Sequence, residues 1–281
     1  MITFVQLAYG DERILQQARF SIASLQHWAL RGDTPYRVVV FTDQPGRFGG
    51  LGPHVDTELL EAAQLAEWRG AIDYVHRIKP VVLLRAAAKY GGTIVFMDSD
   101  TYLVADPFPR LRMVDERTAV LHLCEGRLSE RKNGIFRKMH RFVKRARLPM
   151  PGGEVVRISE HAEMWNSGVV ALHESVAASV LERTIQLIDA IHARYRKHIT
   201  EQLALSWVLH ERGFRMLPSD DVVAHYWPYT RELAPTIADF LARHEGEDVA
   251  TVGAAAVALA PKGTPKPPKR PWWRRLPGMR A

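Results

Sequence analysis

The chain has one cysteine, Cys124, in 281 residues. That excludes an intramolecular disulfide framework and agrees with a reducing compartment. The opening residues, MITFVQLAYG, lack the charged flank and apolar core of a signal peptide. They read instead as a strand that begins almost at once. Long apolar runs are also missing: the best, TVGAAAVALAP at 251–261, is too short and too alanine-rich to span a bilayer. The expectation is a cytoplasmic protein. Acids are absent from the last 21 residues, 261–281, which hold seven of the 38 Lys and Arg; the remaining 31 basic residues match the 31 Asp and Glu. The body is therefore neutral, which argues against a basic nucleic-acid-binding fold, and no nucleic-acid partner is expected. Six prolines in this basic tail cannot build a core, so a flexible, extended segment is expected.

Within residues 1–260 the pattern alternates. An apolar run at 2–7 precedes a helix capped by Asp11, with Ile14, Leu15, Phe20, Ile22, Leu25 and Trp28 at helical spacing. The run at 37–41 is continuously apolar, as in a strand buried on both faces of a parallel sheet. Helices are expected at 58–70 and 73–90, the second ended by Gly91 and Gly92. A third buried strand, 93–97, runs into Asp98-Ser99-Asp100. Strands alternating with helices make an α/β fold with a mostly parallel central sheet flanked by helices. Such sheets bind ligands at the carboxyl ends of their strands. Residues 113–160 resist assignment. Order returns with Trp165-Asn166-Ser167-Gly168, a strand at 169–172, helices at 174–195 and 200–212, and a strand at 215–217. Residues 229–260 look mostly helical.

The strongest chemical signal is Asp98-Ser99-Asp100. In an extended chain residues i and i+2 project to one side, and two such carboxylates repel unless a cation lies beside them. A hydrated Mg2+ or Mn2+ carrying a diphosphate meets that need. The bland alternative is a turn-capping acid beside a solvated one. A phosphatase of the haloacid-dehalogenase type also uses a strand ending in Asp-x-Asp, with Asp220-Asp221 as a later acidic pair. Against it, Tyr102 stands where that family has Thr or Val.

Several motifs recur in a familiar order: Tyr9-Gly10, Phe41-Thr42-Asp43, Lys79-Pro80, Val95 to Asp100, Asp106-Pro107, Trp165 to Val169, and Glu201-Gln202. Together they resemble the nucleotide-diphospho-sugar glycosyltransferases of the GT-A (Rossmann-like) fold, closest to the retaining group with glycogenin and bacterial lipooligosaccharide galactosyltransferases. The resemblance covers about residues 2–228. It implies one GT-A domain over 1–260, with a nucleotide-sugar half at about 1–112 and an acceptor half at 113–260, followed by the tail at 261–281.

The implied activity is metal-dependent transfer of a sugar, most simply a hexose, from a nucleotide diphosphate sugar to a glycan, lipid-linked or similar hydroxyl. The implied metal ligands are Asp98, Asp100 and His225, for Mn2+ or Mg2+. Donor contacts are implied for Tyr9, Asp43, Lys79, Asp98, Ser99, Asn166, Ser167 and Gly168, and catalytic roles for Glu201 and Gln202. Glu201 replaces the Asp of that group. The Gly and Lys that usually follow the late histidine are absent. Retention is the expected stereochemistry; an inverting enzyme needs a base, for which Glu163 or Asp221 could serve. A non-catalytic nucleotide- or membrane-binding module of the same fold stays open beside the enzyme.

Two basic segments remain. Residues 127–147 carry nine Lys or Arg and one acid, Glu130, and read either as a solvated helical face or as a surface for an anionic acceptor or phospholipid. In the tail, Trp272-Trp273-Arg274-Arg275 pairs interfacial aromatics with cations, which suits an anionic membrane at its inner face.

Overall fold

In the computed structural model, which describes residues 1–130 and 134–259, the elements follow the chain as β1 (Ile2–Leu7), α1 (Glu12–Ala29), β2 (Tyr36–Thr42), β3 (Val55–Leu59), α2 (Ala62–Arg69), α3 (Ile78–Tyr90), β4 (Thr93–Met97) and β5 (Thr101–Leu103). Then come α4 (Phe108–Leu111), β6 (Thr118–Arg127), α5 (Gly134–Val143), β7 (Leu148–Pro149), β8 (Val155–Val156), β9 (Glu163–Leu172), α6 (Glu174–His192), α7 (Thr200–Glu211), β10 (Arg215–Pro218), β11 (Val223–His225), α8 (Thr230–Arg243) and α9 (Val249–Leu259). The tail expected to be flexible and to meet a membrane lies outside the described residues.

A seven-stranded sheet has the order β10-β6-β9-β4-β1-β2-β3. Only β9 runs against the rest, antiparallel to β4 on one side and β6 on the other. The continuously apolar strands serve two cores. Val5, Val39, Phe41, Ile94 and Phe96 face a cluster with α3, α5, α6 and α7. Their alternate neighbours Phe4, Val38, Val40, Val95 and Met97 face α1 and α4. Both faces of these strands are covered, so period-2 alternation disappears. Outside α1, a third cluster joins α8 and α9 to Phe20, Tyr102 and Tyr226. No helix among the described residues is long and apolar enough to cross a membrane.

Asp11 caps α1 as expected, accepting from the Arg13 amide at 2.8 Å. Three assignments need correction. Residues 58–59 are not helical; they end β3, which pairs with the sheet through β2. The helix starts later, at Ala62, where Glu61 and Gln64 form a reciprocal capping box. Residues 75–77 form a tight 3-10 turn before α3 begins. The strand expected at 169–172 is the end of the longer β9, so Trp165 to Gly168 lie within a strand rather than in front of one. The unassigned region 113–160 supplies β6 and α5, and its pairing with β9 is irregular between Leu121 and Leu123 and again between Cys124 and Arg127. Such irregularities break the alternation by which a strand is read.

Candidate active site

β4 delivers the acids. The Asp98 amide donates to the Gly168 carbonyl at 2.9 Å, extending the β4–β9 ladder, and the Thr101 hydroxyl donates to the Asp98 carbonyl at 2.7 Å. The chain therefore turns between the two acids, and it is this turn, not an extended i,i+2 geometry, that brings both to one place. β5 leaves the turn and pairs antiparallel with β11, Thr101 opposite His225. The Tyr226 amide then donates to the Asp100 carbonyl at 3.1 Å. This short ribbon places His225 Nε2 at 3.2 Å from Asp100 Oδ1 and 3.8 Å from Asp98 Oδ2. One ligand atom each from Asp98, Asp100 and His225 lies within 4.8 Å of the others.

Lys79 reaches the cluster from the first turn of α3, where Pro80 forfeits no needed hydrogen bond. The buried ammonium lies 2.9 Å from Asp98 Oδ1 and donates to the Ser167 carbonyl at 3.1 Å and the Ser167 hydroxyl at 3.3 Å. The Ser167 hydroxyl in turn donates to Glu201 Oε2 at 2.8 Å. Burial alone would depress the Lys79 ammonium, but Asp98 and Glu201 outweigh it and hold it above its ordinary value. Burial opposes ionisation of Asp98 as well, yet Lys79 and His225 keep its carboxyl below the ordinary range. Glu201 is the contrast: burial raises its carboxyl, with Lys79 opposing. For His225, burial is outweighed by the hydrogen bond from its ring to Asp100, and the imidazole is raised. Behind it, His122 packs edge-on at 5.2 Å and donates from Nε2 to the Val223 carbonyl at 3.1 Å. Burial and the adjacent His225 lower His122 to about 4, so it stays a neutral prop.

Beside His225 the cleft wall changes to side-chain amides gathered round one carboxylate, Glu125. Asn166 Oδ1 accepts from the Gly168 amide at 2.9 Å and lies 3.2 Å from His225 Nδ1. Its amide donates to Glu125 at 3.4 Å, and the Gln202 amide donates to Glu125 at 2.7 Å. Gly168 is required sterically: a Cβ there would lie 2.4 Å from His225 Nδ1. Between the walls is a cleft of about 480 Å3.

Of the residues singled out in the sequence, Lys79, Asp98, Asp100, Asn166, Ser167, Gly168, Glu201, Gln202 and His225 line this cleft together. Ser99 is half-buried in the turn and is not among the lining residues. Tyr9 and Asp43 stand just past β1 and β2, at the same end of the sheet; Tyr9 packs against the core, and Asp43 accepts from the Gly10 amide at 3.1 Å. Neither lines the cleft. Glu163 and Asp221 do not line it either: Glu163 accepts from the Trp165 indole at 3.2 Å and Asp221 pairs with Arg110 at 2.8 Å.

Seven lining residues were not singled out: Glu125, His76, His198, Ile199, Ile135, Phe136 and Trp227. Glu125 carried the one usable signal, a carboxylate closing the apolar run Ala119 to Cys124 as Asp98 closes its own.

No family model and no curated protein matches the sequence. Among solved structures, the chain is similar to a crystal structure of the galactosyltransferase LgtC in complex with donor and acceptor sugar analogues. The identity is 11%, the match covers 94% of this chain and 87% of that one, and the TM-score is 0.55. The fold is GT-A. At this identity the match speaks for the fold alone, and the chemistry of the GT-A cleft must be argued from the side chains in it. Two carboxylates and an imidazole converge there at ligand spacing, and Gly168 leaves the imidazole the room it needs. The set fits a divalent cation: carboxylates suit Mg2+ and Mn2+, and imidazole adds a softer donor. Lys79 supplies a second positive charge beside Asp98.

Proposed function

We propose that this protein is a metal-dependent glycosyltransferase that moves a sugar, a hexose in the simplest case, from a nucleotide diphosphate sugar to a hydroxyl of a glycan or lipid-linked acceptor. The observation that carries this reading is the convergence of Asp98, Asp100 and His225 with Lys79 on one wall of a GT-A cleft. Mn2+ or Mg2+, held by Asp98, Asp100 and His225, would supply Lewis-acid neutralisation of a diphosphate leaving group. Lys79 adds a fixed cation at the same place, worth most in a site shielded from water. Asn166, Ser167 and Gln202 offer short, oriented hydrogen-bonding groups to sugar hydroxyls. Tyr9 and Asp43, at the ends of β1 and β2, are our candidates for the nucleotide base and ribose, and Ser99, in the acidic turn after β4, is a further donor-contact candidate.

Retention is our reading of the stereochemistry. The carboxylates suggested for an inverting base, Glu163 and Asp221, are engaged away from the cleft. Glu201 and Gln202 line it instead, Glu201 as the buried carboxyl that accepts from Ser167. The phosphatase alternative loses its second acidic pair, because neither Asp220 nor Asp221 lines the cleft that holds Asp98.

Incubating the purified protein with a panel of nucleotide sugars, with and without Mn2+, tests the proposal. Metal-dependent release of a nucleoside diphosphate is the expected result. Binding without release would leave a nucleotide-binding module, and release of phosphate from simple phosphoesters would point to the phosphatase.

A further inference from the structure

The basic helix α5 takes no part in the chemistry just described, although its first turn helps wall the cleft through Ile135 and Phe136. It is strongly two-faced. Phe136, Met139 and Val143 are buried in the core. Lys138 and Arg141 lie on the outside, with Arg145 one helical step further on, and all three are exposed. A shallow, open surface gathers them with Arg147 and Arg194, and no acidic side chain lines it. Among the described residues, none of these five cations has a carboxylate within ion-pairing distance; the nearby Glu160 is taken by His140 at 2.8 Å and Lys144 at 3.1 Å. The surface is tied rigidly to the segment between α6 and α7. Phe142 stacks on Tyr195 with ring centroids 4.7 Å apart, and the Arg194 guanidinium donates to the Arg147 carbonyl at 2.5 Å. Arg196 and Lys197 extend the exposed charge along that segment, which ends in His198 and Ile199 at the cleft.

Five like charges held together without counter-charges are a standing electrostatic cost unless an anionic partner offsets them. The surface is open rather than pocket-like, so it fits an extended anionic plane better than a small ligand. Apolar groups accompany the cations: Phe142 lies within the patch, and Ile135, 41% exposed, stands at the cleft end of the same helix. Apolar side chains interspersed with Lys and Arg on one helix face are the composition of a bilayer-surface helix. A single-stranded nucleic-acid groove instead offers a row of free aromatic faces along the charges, whereas the one aromatic ring of this patch, Phe142, is already stacked on Tyr195.

We propose that the outer face of α5, with Arg147, Arg194, Arg196 and Lys197, docks on an anionic lipid bilayer and sets the mouth of the cleft beside the membrane surface. This docking is independent of the transferase reading, because it concerns where the protein sits and not what it transfers.

The test is co-sedimentation of the full chain with phosphatidylcholine vesicles, either pure or one-third phosphatidylglycerol, at about 0.1 M salt where surface charge is still felt. The wild type is expected to bind the anionic vesicles and not the neutral ones. Lys138→Glu/Arg141→Glu/Arg145→Glu should weaken that binding by more than about tenfold, and the matching Gln variant by less. Arg31→Glu/Arg112→Glu/Arg117→Glu makes the same change in net charge at the other end of the sheet and should bind as wild type. Every substituted side chain is exposed, so no variant should melt well below wild type; relief of the like-charge repulsion should if anything raise the α5 variants slightly. Equal binding by the two Glu variants would overturn the proposal and hand membrane contact to the tail or to bulk charge. Absence of wild-type binding would overturn it too, as would a single-stranded RNA oligomer bound more tightly than the anionic vesicles.

Discussion

The two walls of the cleft are built on different physical terms. On one, the charges of Lys79, Asp98 and Asp100 and the imidazole of His225 lie 2.9–3.8 Å from one another. On the other, Asn166 and Gln202 hold a single carboxylate, Glu125, by neutral amide donors. A cluster of opposed charges balanced without a ligand can exchange partners with a cation and a diphosphate. On the amide side the one charge, Glu125, is already held by two amide donors, which leaves that side suited to orienting hydroxyls. Under the proposed transfer, the charged side would meet the diphosphate and the amide side the sugar hydroxyls.

The sharpest way to break this contrast is Asp100→Ala, which removes one metal ligand from the charged wall. Metal-dependent turnover should fall by about a thousandfold or more, while melting temperature in the absence of metal stays near that of the parent. Activity unchanged by this substitution would remove the charged wall from the chemistry.

Gly168→Ala tests the seam between the walls. The added methyl must displace His225 or Asn166, at 2.4 Å and 3.0 Å. A loss of about 1–3 kcal/mol in denaturant stability is expected, with roughly tenfold weaker Mn2+ binding by titration calorimetry. Gln202→Ala touches only the amide wall. It leaves Glu125 with the longer bond to Asn166, so kcat/KM should drop by about tenfold, at roughly 1.4 kcal/mol, with Mn2+ affinity unchanged. A parallel loss of metal binding would show that the walls are not separable.

Smallest is the effect of Glu201→Gln on stability with metal chelated. Burial raises this carboxyl above its ordinary value, so the unfolded chain ionises first and the parent loses stability as pH climbs through the carboxylate range. Gln escapes that loss and can still accept from Ser167. The variant should match the parent at low pH, below the ordinary carboxylate range, and melt higher than it near pH 7. A gap that is constant with pH would show that Glu201 is not held above its ordinary value.

How far the sequence could be read follows from burial. β1, β2 and β4 were legible because both faces are covered, which writes an unbroken apolar run. β3 lies at the edge with Asp56, Thr57 and Glu58 among its five residues, so its composition resembles the start of the helix that follows. β6 was hidden by the irregular pairing after Leu121 and by His122 inside its apolar run. With β6 went Glu125, the residue that organises the amide wall. Lys79, Asp98, Asp100, Asn166, Ser167, Gly168, Glu201, Gln202 and His225 could be named as candidates from motif order, and the structure draws all nine into one cleft. Tyr9, Asp43 and Ser99 stand at the same end of the sheet but outside the cleft lining.

By itself the sequence determined the α/β layering, the neutral body with its basic tail, and the pair of acids closing a buried strand. These are local properties: each residue's hydrophobicity and each short spacing act without knowledge of distant partners. Only the tertiary structure decided that His225 would stand beside Asp100, that Glu125 would meet Gln202, and that α5 would turn its cations outward from the cleft wall. Those outcomes depend on register between strands far apart in the chain, set by the β5–β11 ribbon and the reversed β9, and no local pattern carries that information.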